Sequence, residues 1–332
     1  MADDAVVLIA GGAGYIGSHA ARALLEAGSR VVVVDDLSTG HRRLVPPGVP
    51  LIEGSAGDRE LVGRVIAGFG VTAVMHFAGS IVAPASVSQP LAYYGNNTVN
   101  SHALIDAAIA GGVRRFIFSS TAAVYGNAGG APITEAEPPA PINPYGTSKL
   151  MTEWMLRDAA AAHDFRYVAL RYFNVAGADP GGRSGQAAAE ATHLIRLACQ
   201  TALGRRSELS IFGTDYPTPD GTCVRDYIHV SDLADAHVLA CRHLHDGGGT
   251  RVLNCGYGHG ASVREVIATV ERVTGRPLPV REAPRRPGDP ASLVADSAAL
   301  RRLFDWRPRF DDLPTIVRHA LAWEERLPAL LA

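Results

Sequence analysis

The 332-residue sequence predicts an α/β fold, a doubly wound parallel sheet joined to a smaller C-terminal α/β domain. Three observations lead there. Short β-branched apolar runs alternate with helical stretches through the first half, the spacing of βαβ units. Those runs are apolar throughout, as strands buried on both faces must be. The first run ends in a glycine-rich segment that opens directly into a helix.

Taken in order, Val6–Ala10 reads as a buried strand. Residues 15–27 carry small and apolar positions at helical spacing and stop at Gly28. A second strand spans Arg30–Val34 and ends on Asp35. Further strands are expected at Leu51–Ile52, Ala73–His76, Arg115–Phe118 and Tyr167–Arg171, with helices between. Past Asn174 the texture changes to loops rich in Gly, Asp, Pro and Ser, at 178–186, 213–222 and 284–290. The expected division is 1–173 and 174–332. The stretch 224–255, with Val224–Cys241 and a strand at Val252–Asn254, is expected to return to the first sheet.

Composition excludes several classes. With 31 Lys+Arg against 33 Asp+Glu the net charge is -2, which leaves no basic surplus for a nucleic acid. No apolar run approaches the roughly 20 residues that span a bilayer. The N-terminus Met1-Ala2-Asp3-Asp4 is acidic where a secretory signal would be basic, so a cytoplasmic protein is expected. Cys199, Cys223, Cys241 and Cys255 form no close pair, and the 12 histidines show no H-E-x-x-H arrangement, so no metal is expected.

Gly11-Gly12-Ala13-Gly14-Tyr15-Ile16-Gly17 fits G-x-G-x-x-G after a strand and before a helix. Glycines let the backbone approach a pyrophosphate, whose charge meets the free amides of the helix start. Asp35 follows about 20 residues on, where a carboxylate binds the ribose hydroxyls of NAD and repels the extra phosphate of NADP. An ordinary turn acid before Asp36-Leu37-Ser38-Thr39-Gly40 is the competing reading. The first domain is therefore expected to be of Rossmann type and to bind NAD.

Tyr145 and Lys149 lie four residues apart and share one face if their segment is helical. A phenol with pKa near 10 is a poor base at neutral pH. A nearby ammonium and an oxidised nicotinamide would favour the phenolate. A surface helix pair is the alternative, and the upstream glycine loop weighs against it.

At this point the chain resembles the extended short-chain dehydrogenase/reductases, and within them the UDP-glucose 4-epimerases. The resemblance runs through GGAGYIGSHA at 11–20, DDLS at 35–38, HFAG at 76–79, FSSTAAVYGN at 118–127, NPYGTSK at 143–149, RYFN at 171–174 and VRDYIHV at 224–230. It implies that Tyr145 is the acid/base, that Lys149 lowers its pKa and binds the nicotinamide ribose, and that the Thr121 hydroxyl bridges sugar and tyrosine. Related dehydratases and decarboxylases have acidic residues just after this position. Here they are Ala122 and Ala123, which favours reversible oxidation at C4 and hence epimerisation.

The resemblance further implies an NAD envelope of Gly11, Gly14, Tyr15, Ile16, Gly17, Asp35, Asp36, Leu37, Ser38, Thr39, Gly40, Ser55, Ala56, Phe77, Ala78, Gly79, Asn96 and Phe173, beside Tyr145 and Lys149. Ser55 stands where the family often has an adenine-contacting Asp. For a UDP-sugar it implies Arg225 and Arg286 on the diphosphate, Asn174 on a phosphate or the sugar, Phe212 on the uracil and Asp289 on the ribose. Arg225 has a structural alternative, an ion pair with Asp226 or Asp232. His193-Leu194 replaces a frequent Asn-Leu and either contacts substrate or packs a helix. Tyr216 reads as loop packing. Leu293 replaces a bulkier Tyr beside the sugar, leaving the choice between plain and N-acetylated sugars open. Other UDP-sugar 4-epimerases, acting on a pentose, uronic acid or N-acetylhexosamine, are the nearest alternative. A non-catalytic NAD-binding regulator would commonly lack the tyrosine or lysine. A homodimer is implied, joined by helices that include the Tyr145 helix, with Ser101–Ala110 and Leu150–Ala162 apolar enough to serve.

Overall fold

The computed structural model describes residues 5–128, 132–189, 192–286 and 288–331; the acidic stretch Met1–Asp4 and Pro287 lie outside them. Its strands are β1 (Val6–Ala10), β2 (Arg30–Asp35), β3 (Leu51–Glu53), β4 (Ala73–His76), β5 (Arg115–Thr121), β6 (Arg166–Tyr172), β7 (Asn174–Ala176), β8 (Leu209–Phe212), β9 (Val224–Arg225), β10 (Tyr227–His229), β11 (Arg251–Cys255), β12 (Ala261–Ser262), β13 (Val280–Ala283) and β14 (Ser292–Leu293). The helices are α1 (Tyr15–Glu26), α2 (Arg59–Phe69), α3 (Ala83–Ser88), α4 (Pro90–Tyr93), α5 (Asn100–Ala110), α6 (Pro144–Ala162), α7 (Leu194–Ala202), α8 (Val230–His245), α9 (Val263–Thr274), α10 (Ala298–Phe304) and α11 (Leu313–Leu331).

Seven parallel strands form the main sheet in the order β11-β6-β5-β4-β1-β2-β3. Strand residues alternate between its two covered faces. Val7 and Ile9 join the core shared with α1 and α8, while Val6, Leu8 and Ala10 join the one shared with α2 and α5. This explains the unbroken apolar runs. The chain leaves β1 toward β2 and β3, then restarts at β4 on the other side. The crevice at the carboxyl ends of β1 and β4 is thus a switch point, where ligands of such sheets bind.

Several strands outrun their expected ends, β3 by Glu53 and β6 by one residue at each end. The β5 ladder continues through Ser119 and Ser120 to Thr121, paired with Tyr172. The extra hydroxyls are buried but satisfied, Ser119 with the Tyr172 hydroxyl at 2.7 Å and Ser120 with Glu153 at 2.5 Å. β11 is a residue longer at each end than expected.

Beyond residue 173 every named strand but β11 pairs in small sheets: β7 with β10, β8 with β13, and β12-β9-β14. Within 224–255, β9 and β10 belong to these, whereas α8 packs on α1, β5 and β6 and β11 closes the edge of the main sheet. No described helix is long and apolar enough to cross a membrane.

Candidate active site

The glycine loop is shaped by close approach. Gly11 has φ 83°, and a Cβ there would lie 2.5 Å from the Ala78 amide nitrogen. A Cβ on Gly17 would collide with the Gly11 carbonyl, so α1 can start against the loop only with glycine at 17. Gly14 caps α1 without a side-chain bond, leaving the first amides of the helix to an outside acceptor. Phe77 and Ala78 both donate backbone N–H to the Ala10 carbonyl, fastening β4 to the loop.

Asp35 is buried at the end of β2. One carboxylate oxygen accepts the Ala13 amide at 2.8 Å and the other the Leu37 amide at 2.9 Å. Burial pushes its pKa up, opposed by those amides. Any Cβ on Gly40 would sit 2.8 Å from this carboxylate, so Gly40 keeps room beside it. Asp36 accepts from Ser38 N and Oγ, and Thr39 is exposed. The Ser55 hydroxyl accepts the Gly57 amide at 3.0 Å, beside buried Ala56. Tyr15 and Ile16 turn their side chains into the core, with the Tyr15 hydroxyl donating to the Gly177 carbonyl at 2.7 Å. Their backbone is what faces the loop. A cradle that a Cβ would fill, an uncapped helix start and a carboxylate closing the second strand together fit a dinucleotide.

α6 is launched by Asn143, whose Oδ1 accepts the Gly146 amide at 2.9 Å, with Pro144 as first residue. That start presents Tyr145 to Thr121 at the end of β5. Burial raises the Tyr145 pKa, the Thr121 side chain lowers it, and Tyr93 nearby raises it. Lys149 is pushed down to about 8 by burial. Its Nζ donates to the Ser119 carbonyl at 3.0 Å and lies 5.0 Å from the Phe118 ring centroid. In this arrangement Thr121 is the neighbour that draws Tyr145 down, while the Lys149 ammonium, one helical turn on, is held by the Ser119 carbonyl. Ala122 and Ala123 follow Thr121 in a tight turn that carries no carboxylate.

Neighbours without a spacing signal complete this region. Asn97, buried in a π-helical turn at Tyr94–Val99, accepts the Ser80 amide at 2.7 Å and donates to Ser148 Oγ at 3.0 Å. It holds the segment after Gly79, whose φ is 150° and whose Cβ position lies 3.8 Å from Lys149 Nζ. Asn96 donates to Ser80 Oγ. Phe173 packs with Ala122, Tyr125 and Leu150 behind the turn.

A second cluster gathers on the small sheets. Arg225, 9% exposed, donates to Asp289 Oδ1 at 3.2 Å and to the Val224 carbonyl at 2.8 Å. Neither Asp226 nor Asp232 is its partner. Asp226 accepts the amides of Tyr257, Gly258 and Ala295, and Asp232 accepts the Tyr257 hydroxyl and the amides of Arg309 and Phe310. The Arg286 guanidinium stacks 3.8 Å over Phe212, and Arg285 lies 4.1 Å over Tyr216. Asn174 donates its amide to the Asp226 carbonyl, and Asp226 donates to that of Leu293. Asn174, Arg225 and Leu293 therefore share one neighbourhood. His193 is placed elsewhere, its ring 2.8 Å from Gln186 Nε2 in a small cavity with Tyr15 and Trp323. Burial and then Arg196 lower its pKa to about 4. Leu194 begins α7 and packs on the core.

Among the described residues no group of three or more His, Cys, Asp or Glu is arranged to hold a metal ion. All four cysteines are free and buried.

Comparison with known proteins agrees with this geometry. Residues 7–256 match the model of the NAD dependent epimerase/dehydratase family. The chain is 61% identical to the UDP-glucose 4-epimerase of Azospirillum brasilense over 97% of its own length and 92% of that protein. It superposes on the UDP-glucose 4-epimerase from Brucella ovis in complex with NAD with TM-score 0.93 and 45% identity, covering 96% of this chain and 98% of that one. The Bifidobacterium longum UDP-glucose 4-epimerase in complex with NAD+ and UDP gives TM-score 0.92 and 38% identity, covering 97% and 99%. Glycine cradle, Asp35 and the Tyr145–Thr121 pair thus stand within a match that spans the fold, and the chain belongs to the NAD dependent epimerase/dehydratase family.

Proposed function

We propose that this protein is an NAD-dependent isomerase that reversibly inverts C4 of a UDP-hexose, interconverting UDP-glucose and UDP-galactose. The observation that carries the reading is buried Tyr145 beside Thr121, at a turn whose next residues are Ala122 and Ala123. A single phenol can take and return a proton, and no second acid follows to drive elimination. The long match to UDP-glucose 4-epimerases supports the substrate class.

Arg225 and Arg286 hold the diphosphate, with Asp289 and Phe212 on the uridine and Asn174 and Leu293 near the sugar. The Gly11–Gly17 loop and Asp35 would hold NAD, which would supply a reversible hydride acceptor for C4. Tyr145 removes the proton of the sugar 4-hydroxyl while Thr121 holds that oxygen. The 4-keto sugar turns about its link to the diphosphate and presents its other face. Tyr145 then returns its proton to the C4 oxygen. Lys149, fixed at Ser119, orients the nicotinamide ribose and adds positive charge behind the phenol. No net redox change occurs.

The protein acts as a homodimer in the cytoplasm. Leu91, Val99 and Trp154 leave large apolar surface exposed around α4–α6, where a second copy would bury it. Four free cysteines suit a reducing compartment.

Protein as purified is expected to release NAD on denaturation and to convert UDP-galactose without added cofactor in a coupled assay. Its kcat/KM is expected to exceed that for the N-acetylated analogue. Tyr145→Phe should retain NAD and lose at least about a hundredfold in kcat. Full turnover by that variant would overturn the proposal.

A further inference from the structure

Tyr145, Lys149 and Glu153 recur every four residues along α6, so they leave one face of the helix. The first two belong to the proton-transfer site. Glu153 has no part in that chemistry, yet it is a carboxylate only 4% exposed. Arg171 of β6 meets it across both oxygens, Nη2 donating to Oε2 at 2.6 Å and Nε to Oε1 at 3.0 Å. Ser120 Oγ donates to the same Oε1 at 2.5 Å. The remaining guanidinium nitrogen, Nη1, donates to the Tyr125 hydroxyl at 3.0 Å, and Tyr125 donates on to Asn254 Oδ1 of β11 at 2.7 Å.

Stability does not account for this arrangement. Desolvating two charges costs about as much as their attraction returns, and well-packed apolar residues of similar volume often serve as well or better. Geometry supplies the reason. Ser120 precedes Thr121, and Tyr125 ends the turn that begins just after it. The carboxylate holds one side of Thr121 and its guanidinium partner holds the other. Ser119, the next residue back, takes Lys149 from the same helix face.

We propose that Glu153 and Arg171 are positioning residues for proton transfer: their bidentate pair locks the catalytic face of α6 to the end of β5 and thereby sets where Thr121 stands against Tyr145. This rests on Tyr145 being the acid/base. The Thr121 side chain is the neighbour that lowers the Tyr145 pKa against burial. Loosening the turn raises that pKa and slows the chemistry. It leaves the diphosphate contacts in place, because Arg225, Arg286 and Asp289 sit on other elements.

The test compares wild type, Ser120→Ala and the apolar double variant Glu153→Leu/Arg171→Met as NAD-loaded enzymes. Readouts are Tm, bound NAD, and kcat and KM for UDP-galactose across pH. The double variant is expected to keep its Tm and NAD, to lose roughly 10- to 100-fold in kcat with KM within about threefold, and to show the limb of kcat that rises with pH moved upward. Ser120→Ala is expected to shift the same way by a smaller factor, and it decides the matter if the double variant fails to fold. Wild-type kcat and profile in both, or a raised KM at unchanged kcat, overturns the inference. Tyr145→Phe runs alongside: full activity there overturns the acid/base assignment instead.

Discussion

The carboxylate of Asp35 accepts the amide of Ala13 at 2.8 Å, so the end of β2 and the glycine loop are one rigid unit. That contact has Asp35 shape the loop, beside its proposed task of facing the ribose of a bound dinucleotide. Asp35→Asn keeps the size but replaces one acceptor by a donor, opposite a backbone N–H. The variant is expected to weaken NAD binding by roughly 1–3 kcal/mol, the cost of a buried polar group left unpaired. Nucleotide released per protomer on denaturation, followed by titration with added NAD, measures it. Full NAD occupancy at wild-type affinity would contradict the role.

Arg225 reaches Asp289 across 64 residues of chain, and in the resting protein the pair neutralises itself. A diphosphate must share or displace that carboxylate. Arg225→Lys removes the planar fork while keeping the charge. We expect KM for UDP-galactose to rise about 10- to 100-fold with NAD content unchanged. Asp289→Asn should cost less, since it weakens the proposed ribose contact but frees the guanidinium. Steady-state kinetics on the two variants separate these effects, and an unchanged KM in Arg225→Lys removes Arg225 from the site.

Four fully buried histidines stand neutral: burial holds His19 and His237 at about 4 and His76 and His229 at about 3. The unfolded chain protonates each near 6.5. As pH falls through 6.5 the unfolded state takes up protons that the folded state refuses, so stability declines, down to about pH 4 for His19 and His237 and about pH 3 for His76 and His229. Each contributes up to about 1.4 kcal/mol per pH unit in that window. Urea unfolding between pH 7 and 5 should show net uptake of several protons. A free energy flat across that range would show that these rings are already charged in the fold.

Trp154 is 46% exposed on α6, and Val99 is 61% exposed beside the start of α5. Trp154→Glu puts a charge where a second copy is proposed to pack. Light scattering after size exclusion is expected to give a dimer for the wild type and a monomer for the variant. A monomeric wild type would reject the interface.

Much of the site could be read along the chain because its parts are local. A loop between strand and helix, an acid closing the next strand, and a tyrosine and lysine one helical turn apart each fall within a few residues. The parallel strands were equally legible, since burial on both faces leaves an apolar run. What resisted reading depends on meetings across the fold. Arg225 has two acids close in sequence, Asp226 and Asp232, yet its partner is Asp289. Backbone amides from Tyr257, Gly258 and Ala295 claim Asp226 first. Likewise nothing in a tyrosine–lysine spacing says that the Lys149 ammonium is held by the Ser119 carbonyl. His193 points toward Gln186 and Arg196, a choice made by α11 packing from more than a hundred residues downstream.

The position of β11 has a consequence for how the chain is made. It pairs with β6, yet the two are separated by everything from Asn174 to Thr250. During synthesis the β6 edge stays open, and the face that α8 covers stays bare, until residue 255 has left the ribosome. A nascent chain stopped near 173 therefore exposes a hydrogen-bonding edge and an apolar surface together, the combination that recruits chaperones or aggregates. Cutting the gene at the apparent domain boundary would yield not a small dinucleotide-binding protein but an unfinished sheet.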